Sequence, residues 1–528
     1  LNRVWCGLAV ALLLLHAHGL RAQRNLDLSG FLPYAERLSD VWGYAAPDGT
    51  EYALVGAFNG LSIVSLADPT DPVEVQFIGG PESIWRDIKT WQDQAYVVNE
   101  TSGGLLIVDL SGLPASVDTL TYRDRGLQSA HNIFIDSVGR AFLFGANVDA
   151  AGTTILDLTL DPTAPVFLGA YEDRYVHDGY ARGDRLWNGE IINGTFSVVD
   201  ISDPSNPFVL ADETSPNGLT HATWLDDSES VLAVVEESAG GLVLTYDVSD
   251  PTDIQELGRY RSNWSVPVIP HNIFYRGNWL VVSAYTDGVT LVDAARPSNL
   301  VETGRFDTSP VPSQEGFNGC WGVYPYLPSG LILATDIEEG LFVLSPEYHR
   351  AAYIEGTVRD ISGTPRLYAQ VEIPGTVARP FITDFTGFFA TGTSDTGTTT
   401  VRVTASGCAT AFYTVDLVAG QVTVLDPVLS CSTTALTGPT SEDLVSVQLE
   451  PAVFAGQTRF RWDLGPAWQP GASVRSVDMS GRIHWQASLP GPSGSLETGA
   501  GWSEGFHLLE VISGPFHHPL RAIKSRAP

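Results

Sequence analysis

The sequence predicts an all-β protein, a seven-bladed β-propeller followed by two small β-sandwich domains. Three observations predict it. The 528 residues include 52 Gly and 33 Pro but a single Met, and the Thr-, Val-, Tyr- and Trp-rich runs are cut by turn residues. A strand-like phrase recurs seven times in the first 350 residues. From Tyr353 onward the pattern changes to short alternating strands split by Gly turns.

Composition already excludes some functions. A hydrophobic share of 44% excludes wholesale disorder and allows a large core. The net charge is -32, from 61 acids against 29 bases. Such a surface repels phosphate backbones and anionic lipid, so no nucleic-acid partner is expected. The acids are scattered with no run of five, as on a solvated surface rather than an acidic tail.

Residues 1–22 read as a secretory signal peptide: Arg3, an apolar run from Leu8 to Leu15, and the small Ala22 before Gln23. Cys6 precedes the apolar run, which argues against a lipid-anchored cysteine. No other stretch of 18 apolar residues exists, so no transmembrane segment is expected, and the protein is placed outside the cell or on an outer-membrane surface. Export permits a disulfide. Cys408 and Cys431 fall in one later domain and could pair, which would leave Cys320 alone; two free thiols are the alternative.

The propeller is assigned to residues 25–349. Its repeated phrase is an apolar strand that runs into Asp and Pro. The copies are GLSIVSLADP (60–69), GLLIVDLSG (104–112), TTILDLTLDP (153–162), TFSVVDISDP (195–204), LVLTYDVSDP (242–251), GVTLVDAARP (288–297) and GLFVLSP (340–346). Their period of about 43 to 52 residues fits four-stranded blades. A second phrase follows, a strand with a central Gly, as in FLGAYE (167–172), ELGRYR (256–261) and ETGRFD (302–307). It also occurs once too early, as LSGFLPY (28–34), and the seventh copy lacks it. Residues 25 to 34 are therefore expected to supply the outer strand of the last blade and close the ring. The Asp-Pro pairs at Asp68, Asp161, Asp203 and Asp250 read as turns, since no D-x-D-x-D-G calcium loop is present.

A third position opens each blade, 22 to 26 residues before the Asp or Ser of the repeated phrase. Alignment places Trp42, Trp85, His131, His177, His221, His271 and Trp321 there. Polar neighbours follow: Arg86 and Asp87 after Trp85, Asn132 after His131, Asp178 after His177 and Asn272 after His271. First strands of propeller blades line the central channel, so these side chains are expected at one mouth of it. Three readings stay open. The groups pack the mouth and bond to turn backbones. Or His131, His177, His221 and His271 ligate a transition metal such as Cu, Zn or Fe, with Asp87 or Asp178 beside it. Or Trp42, Trp85, Arg86, Asp87, Asp178 and Trp321 bind an organic anion or sugar by stacking and charge. Neighbouring positions of an open ring stand too far apart for bonds of about 2.0–2.1 Å, so shared ligation requires a constricted mouth. No nucleophile elbow, zinc-protease, P-loop or dinucleotide motif occurs, and catalytic residues are unknown. His517-His518 reads as a pair on a loop without a role.

The blade text resembles the LVIVD-repeat, or choice-of-anchor B, family of secreted bacterial proteins. The likeness rests on residues 40–72, SAHNIFID (129–136), YVHDGYA (175–181), THATWLDD (220–227), 271–293 and 321–344. It implies a β-propeller whose relatives end in differing anchoring or sorting segments, with no settled biochemical activity. Ser65 and Ser345 depart from the Asp usual at that repeat position.

Residues 352–431 form a small sandwich by pattern, with a Gly turn at Gly387. This part resembles the carboxypeptidase regulatory-like domain, which implies a spacer or adhesion module. A polar linker, 432–443, leads to residues 444–528, where Asp478 to Arg482 makes a hairpin and Gly505 to Leu508 opens the penultimate strand. That unit resembles the type IX secretion sorting domain, although Glu450-Pro451-Ala452 stands where Pro-Asn-Pro is usual. The resemblance implies the type IX secretion machinery as a partner. The favoured expectation is a secreted binding or scaffold protein that engages a glycan, peptide or small molecule at the His/Trp mouth. A metal-dependent extracellular enzyme and a purely structural display scaffold are the alternatives.

Overall fold

The computed structural model describes residues 23–376, 380–431 and 446–524, the last apart from 451–452, 455–456, 465–467, 479–482, 500–501, 503–504 and 514–515. The expected signal peptide and the whole of the linker, 432–443, lie outside the described residues. Among the described residues there is no α-helix, and none long and apolar enough to cross a membrane. The chain divides into two compact units, residues 1–430 and 431–528.

Seven antiparallel sheets make the propeller. Blade 3 shows the plan, with strands Asn132–Ile135, Arg140–Phe144, Thr153–Asp157 and Val166–Tyr171 paired in chain order. The other innermost strands are Leu38–Ala45 (blade 1), Arg86–Trp91 (blade 2), Asp178–Arg182 (blade 4), Thr220–Leu225 (blade 5), Ile273–Arg276 (blade 6) and Cys320–Tyr324 (blade 7). The middle strands are buried on both faces, which is why the repeated phrases read as continuous apolar runs. Phe142, Phe144, Trp187, Phe196 and Val234 join blades 3, 4 and 5 in one core.

The ring closes as expected. Leu26–Pro33 pairs antiparallel with Gly340–Pro346 and is the outer strand of blade 7. In addition, Gln23–Arg24 adds a fifth strand to blade 6 against Arg305 and Phe306. Both chain ends of the ring are thus held by ladder hydrogen bonds, leaving no gap between first and last blades.

The two repeated phrases interlock. A Cβ on Gly169, in the outer strand of blade 3, would stand 1.7 Å from the Pro204 carbonyl oxygen in blade 4. Gly258 meets the Pro297 carbonyl of blade 6 at 2.2 Å in the same way. The central Gly of one blade therefore receives the Pro turn of the next. The turn is set by its Asp: Asp161 Oδ1 accepts from Thr163 N at 2.9 Å and from its hydroxyl at 2.7 Å, and Asp203 does the same with Ser205. Gly169→Ala must push two blades apart and is expected to destabilise the protein by about 1–3 kcal/mol, read as a lower melting temperature.

The regulatory-like part has a three-stranded sheet around Ala352–Thr357 and a four-stranded sheet ending in Gly397–Thr404 and Ala411–Leu417. It is tied to blade 6 by the Arg296 guanidinium, which donates to both Glu355 oxygens at 2.8 and 2.7 Å, and by Arg350 on Asp293 at 2.8 Å. Cys408 and Cys431 are disulfide-bonded, and Cys320 is a buried free thiol.

The second unit is a sandwich of a three-stranded and a five-stranded sheet around Phe460, Trp462, Val474, Leu509 and Val511. Gly505–Ser513 is the penultimate strand, as expected. His517 and His518 were expected on a loop; they lie within the last strand, Phe516–Lys524, because the hairpin from Gly505 continues in register to Lys524.

Candidate metal centre

The four histidines converge. Ring centroids are 3.7 Å apart for His131 and His177, 4.6 Å for His177 and His221, and 4.4 Å for His221 and His271. The mouth is therefore constricted on the side of blades 3 to 6, which meets the condition set by bond lengths. His131, His177 and His221 offer ligand atoms within 4.8 Å of one another, and so do His221, Glu237 and His271. Ligand atoms around one ion stand roughly 3–4 Å apart when bonds are about 2 Å, so small rotamer changes suffice.

Each imidazole is placed by a backbone feature. His131 N donates to the Phe144 carbonyl, His177 N to that of Gly189 and His271 N to that of Ser283, so the rings stand at the very start of the innermost strands. His221 occupies a bulge between the Thr220–Glu236 and Ala222–Val235 pairs. Gly189 leaves room for it, since a Cβ there would be 2.0 Å from the His221 carbonyl oxygen.

The proton positions follow from the partners. His271 Nδ1 lies 3.0 Å from the Trp321 carbonyl oxygen, and His131 Nδ1 bonds to the Glu100 carboxylate. An oxygen acceptor fixes the proton on Nδ1 and leaves the Nε2 lone pair facing the mouth. His271 Nε2 then stands 3.7 Å from Glu237 Oε1, and His221 Nε2 stands 3.6 Å from Glu237 Oε2. Neither ring nitrogen of His221 reaches hydrogen-bond geometry, although the His271 backbone lies close enough to favour its protonated form, and His177 Nδ1 has no hydrogen-bond partner among the described residues. His221 is 1% exposed and His271 4%.

Burial keeps His177, His221 and His271 neutral. It drives His177 and His221 well below the ordinary histidine range, with neighbouring imidazoles adding to the effect, and His271 down to about 3. Burial pushes Glu237 up to about 7, against the hydrogen bond from the Tyr285 hydroxyl at 2.7 Å. The result is a buried cluster of neutral imidazoles, each with one nitrogen free of a proton, beside a carboxyl that takes up a proton near pH 7.

Below the imidazoles lies a charged layer. Lys89 Nζ donates to Asp87 Oδ1 at 2.6 Å and stands 3.5 Å from Asp40 Oδ2. Asn272 Nδ2 donates to Asp40 Oδ1 at 3.2 Å, and Ile133 N donates to Asp87 Oδ2 at 2.9 Å. Burial and then the Asp87 charge raise Asp40 well above the carboxylate range, and they bring Asp178 up to about 7. Burial alone would raise Asp87, but Lys89 overrides it and holds that carboxyl low. Cavities of about 20 Å³ above and below this layer share Asp40, Asn132 and Asn272 as walls, each with room for about one water.

Deeper still, Trp42, Phe134, Tyr180, Trp224, Phe274 and Tyr324 close the axis. Successive centroids are 4.6 Å for Trp42 and Tyr324, 4.6 Å for Phe274 and Trp224, and 4.6 Å for Trp224 and Tyr180.

Two alignments from the sequence are corrected. Trp42 was expected at the mouth with the histidines. It sits instead in the deep aromatic layer, under Lys89 at 4.4 Å and bonded through Nε1 to Thr90. The mouth position of blade 1 is Ser39, whose hydroxyl donates to the Arg86 carbonyl of the next blade as His271 Nδ1 meets that of Trp321, so Asp40 takes the place of Asn132 and Asp178 and Trp42 falls three residues deeper. In blade 2 the histidine position belongs to Arg86, not Trp85: the Arg86 carbonyl abuts Gly56 as that of His221 abuts Gly189. Arg86 was also expected to offer charge to an anion. Its guanidinium is buried and donates to the Ala57 carbonyl at 3.1 Å and the Pro81 carbonyl at 2.6 Å. Trp85 and Trp321 do line the mouth, together with Asp87, His131, His221 and His271. Asp178 lines the channel one layer below.

The sequence reading missed Glu100, Glu237 and Tyr285. All three occupy one repeat position, the residue directly after the second strand of a blade, as the strands Gln94–Asn99, Val231–Glu236 and Trp279–Ala284 show. That position was the available signal.

Residues 353–430 match the carboxypeptidase regulatory-like domain. Residues 50–78 and 192–211 match the LVIVD repeat; they cover the second to fourth strands of blade 1 and the third and most of the fourth strand of blade 4. Nothing among the curated proteins matches the chain. Among solved structures, the Myceliophteria thermophila Cps50 (Swd1) beta-propeller domain is similar at 12% identity and TM-score 0.43, covering 61% of this chain and 100% of that one. A structure of the COPII outer coat vertex on membranes is similar at 12% identity and TM-score 0.44, over 59% of this chain and 84% of that one. A structure of the COPII coat assembled on membranes gives the same identity and TM-score over 59% of this chain and 47% of that one. These likenesses concern the fold alone.

Proposed function

We propose that this chain is an exported, metal-dependent propeller protein whose ion is held by His131, His177, His221 and His271 with Glu237. One observation carries the reading: His221 Nε2 and His271 Nε2 stand 3.6 and 3.7 Å from the two oxygens of the buried Glu237 carboxylate, too far for a hydrogen bond. The His271 Nε2 lone pair and the carboxylate are acceptors buried against one another, which is costly unless a cation or proton lies between them. Nitrogen-rich donor sets suit Cu, Zn or Fe. Bound there, the ion supplies a Lewis-acidic or redox centre. The chain's own residues set its surroundings. Glu100 and the Trp321 carbonyl orient two imidazoles, Tyr285 holds Glu237, and the aromatic layer seals the far end, so access is from the histidine face. Export, surface delivery and the type IX machinery as partner remain part of this proposal, supported by residues 1–22 and by the sandwich that ends the chain.

Elemental analysis of purified protein tests the metal. About one equivalent of Cu, Zn or Fe is expected, and His221→Ala should lower affinity at least 100-fold with unchanged secondary structure by circular dichroism. Purified protein that holds no metal, and takes up none when offered each of the three, would leave a metal-free binding scaffold.

A further inference from the structure

The metal reading leaves the exchangeable ligand of the ion open, and the space beside the histidines limits it. His131, His221 and His271 wall a cavity of about 20 Å³ together with Asn132, Asn272 and Asp40. A water needs roughly 10–15 Å³ of such space, so this cavity takes about one. Glu237 and His177 are not among its walls. The place of the ion, against Glu237, therefore adjoins the cavity and does not fill it.

The walls are fixed. The Trp321 carbonyl accepts from His271 Nδ1 at 3.0 Å and from the Ser283 hydroxyl at 2.7 Å, and the Trp321 ring meets that of His271 at 4.8 Å. Trp85 N donates to the Ser83 hydroxyl at 3.2 Å, and that hydroxyl donates to the Trp85 carbonyl at 2.6 Å. Arg86 is held by the Ala57 and Pro81 carbonyls. Below, Asn132, Asn272 and Asp40 are shared with a second cavity of the same size, which Phe134, Trp224 and Phe274 line on the aromatic side. Nothing as large as an organic ring fits in either space.

The walls differ in what they can still bind. Asp87 accepts from Lys89 Nζ and from the amides of Ile88 and Ile133. Asn272 Nδ2 donates to Asp40. The Asn132 amide makes no hydrogen bond among the described residues, and it lines both cavities. A half-buried amide without a protein partner bonds to whatever occupies the space it lines.

We infer that the exchangeable ligand of the ion is a molecule of water or diatomic size, held between the ion and the Asn132 amide, and that organic substrates do not reach the ion. Asn132 is thus a positioning residue for that ligand, one position along the innermost strand from His131. The inference rests on the metal reading for the ion, and on the cavity and the unpartnered amide for the size and place of the ligand.

The test loads full-length protein with Co(II), whose visible absorption reports its ligands, and titrates it with cyanide and with imidazole. Cyanide is expected to change the spectrum to saturation, and imidazole to leave it unmoved, with cobalt content unchanged by elemental analysis. Asn132→Leu nearly keeps the volume but removes the amide, and should weaken cyanide binding about tenfold, as loss of one hydrogen bond does. Asn132→Ala enlarges the cavity and should admit imidazole. A response of the parent protein to imidazole, or none to cyanide, overturns the inference while bound cobalt keeps the metal reading. Cyanide affinity unmoved in both variants overturns it in the same way. Protein that takes up neither Co(II) nor Cu, Zn or Fe overturns the metal reading and this inference with it.

Discussion

Lys89→Met is expected to destabilise the propeller by about 3–5 kcal/mol, the cost of leaving buried charge without its partner. Lys89 is an ammonium inside a protein channel, its side chain 8% exposed, between two carboxylates at 2.6 and 3.5 Å. Burial alone would lower its pKa, yet Asp87 and Asp40 together raise it, so the charge is kept. Methionine has a similar length and can rest on Trp42, so packing changes little. What changes is the charge balance, since Asp87 then keeps the amides of Ile88 and Ile133 and the hydrogen bond from the Asp40 carboxyl but no cation to stabilise it. The measurement is the shift in urea midpoint. Asp87→Asn in the Lys89→Met background should recover a large part of the loss, because the uncompensated carboxylate is then gone. A loss under about 1 kcal/mol for Lys89→Met, the range of exposed pairs, would show that water reaches this layer.

The same residue shows where sequence reading stops. In RDIKTW (86–91) Lys89 looks like an ordinary polar strand position, because nothing local says that the strand faces a closed axis. The repeat itself was legible, since period and strand length depend only on local apolar pattern and turn residues. The early LSGFLPY phrase even gave the closing strand, now paired with Gly340–Pro346. Its Gly is explained by contact: a Cβ on Gly30 would stand 2.1 Å from the Pro69 carbonyl oxygen of blade 1.

The candidate site was legible only in part. Four histidines at one repeat position were visible, and the structure brings them together. Trp42 was misplaced because blade 1 has a small Ser39 at the mouth position, and the nearest aromatic, three residues on, was aligned with Trp321 in its stead. Glu237 was overlooked because Glu236-Glu237 at a strand end resembles a solvated turn. In the fold the two point to different jobs. Glu236 accepts from the amides of Asn217 and Leu242, while Glu237 faces His221 and His271.

Asp336→Asn is expected to stabilise the protein in a strongly pH-dependent way. Asp336 ends the second strand of blade 7, is fully buried, and accepts from the Thr308 hydroxyl at 2.9 Å and from the amides of Glu338 and Glu339 at 3.1 Å each. Burial outweighs those bonds and pushes its carboxyl from 3.8 up to about 7. The folded state therefore holds a proton that the unfolded chain has already released. Its contribution to stability is fully present below pH 3.8 and is lost as pH rises through about 7. Asparagine keeps the amide-accepting oxygen and has no proton to lose. The advantage of the variant over the parent should grow from about zero near pH 4 to about 4 kcal/mol at pH 8, since each pH unit between the unfolded and folded pKa values is worth roughly 1.36 kcal/mol. The difference between variant and parent cancels the histidines, whose lowered pKa values act in the opposite direction below pH 6.5. Urea midpoints at pH 4, 6 and 8 supply the measurement. A constant difference across that range would mean that Asp336 is ionised throughout and held by its hydrogen bonds, and that burial at the blade end costs little.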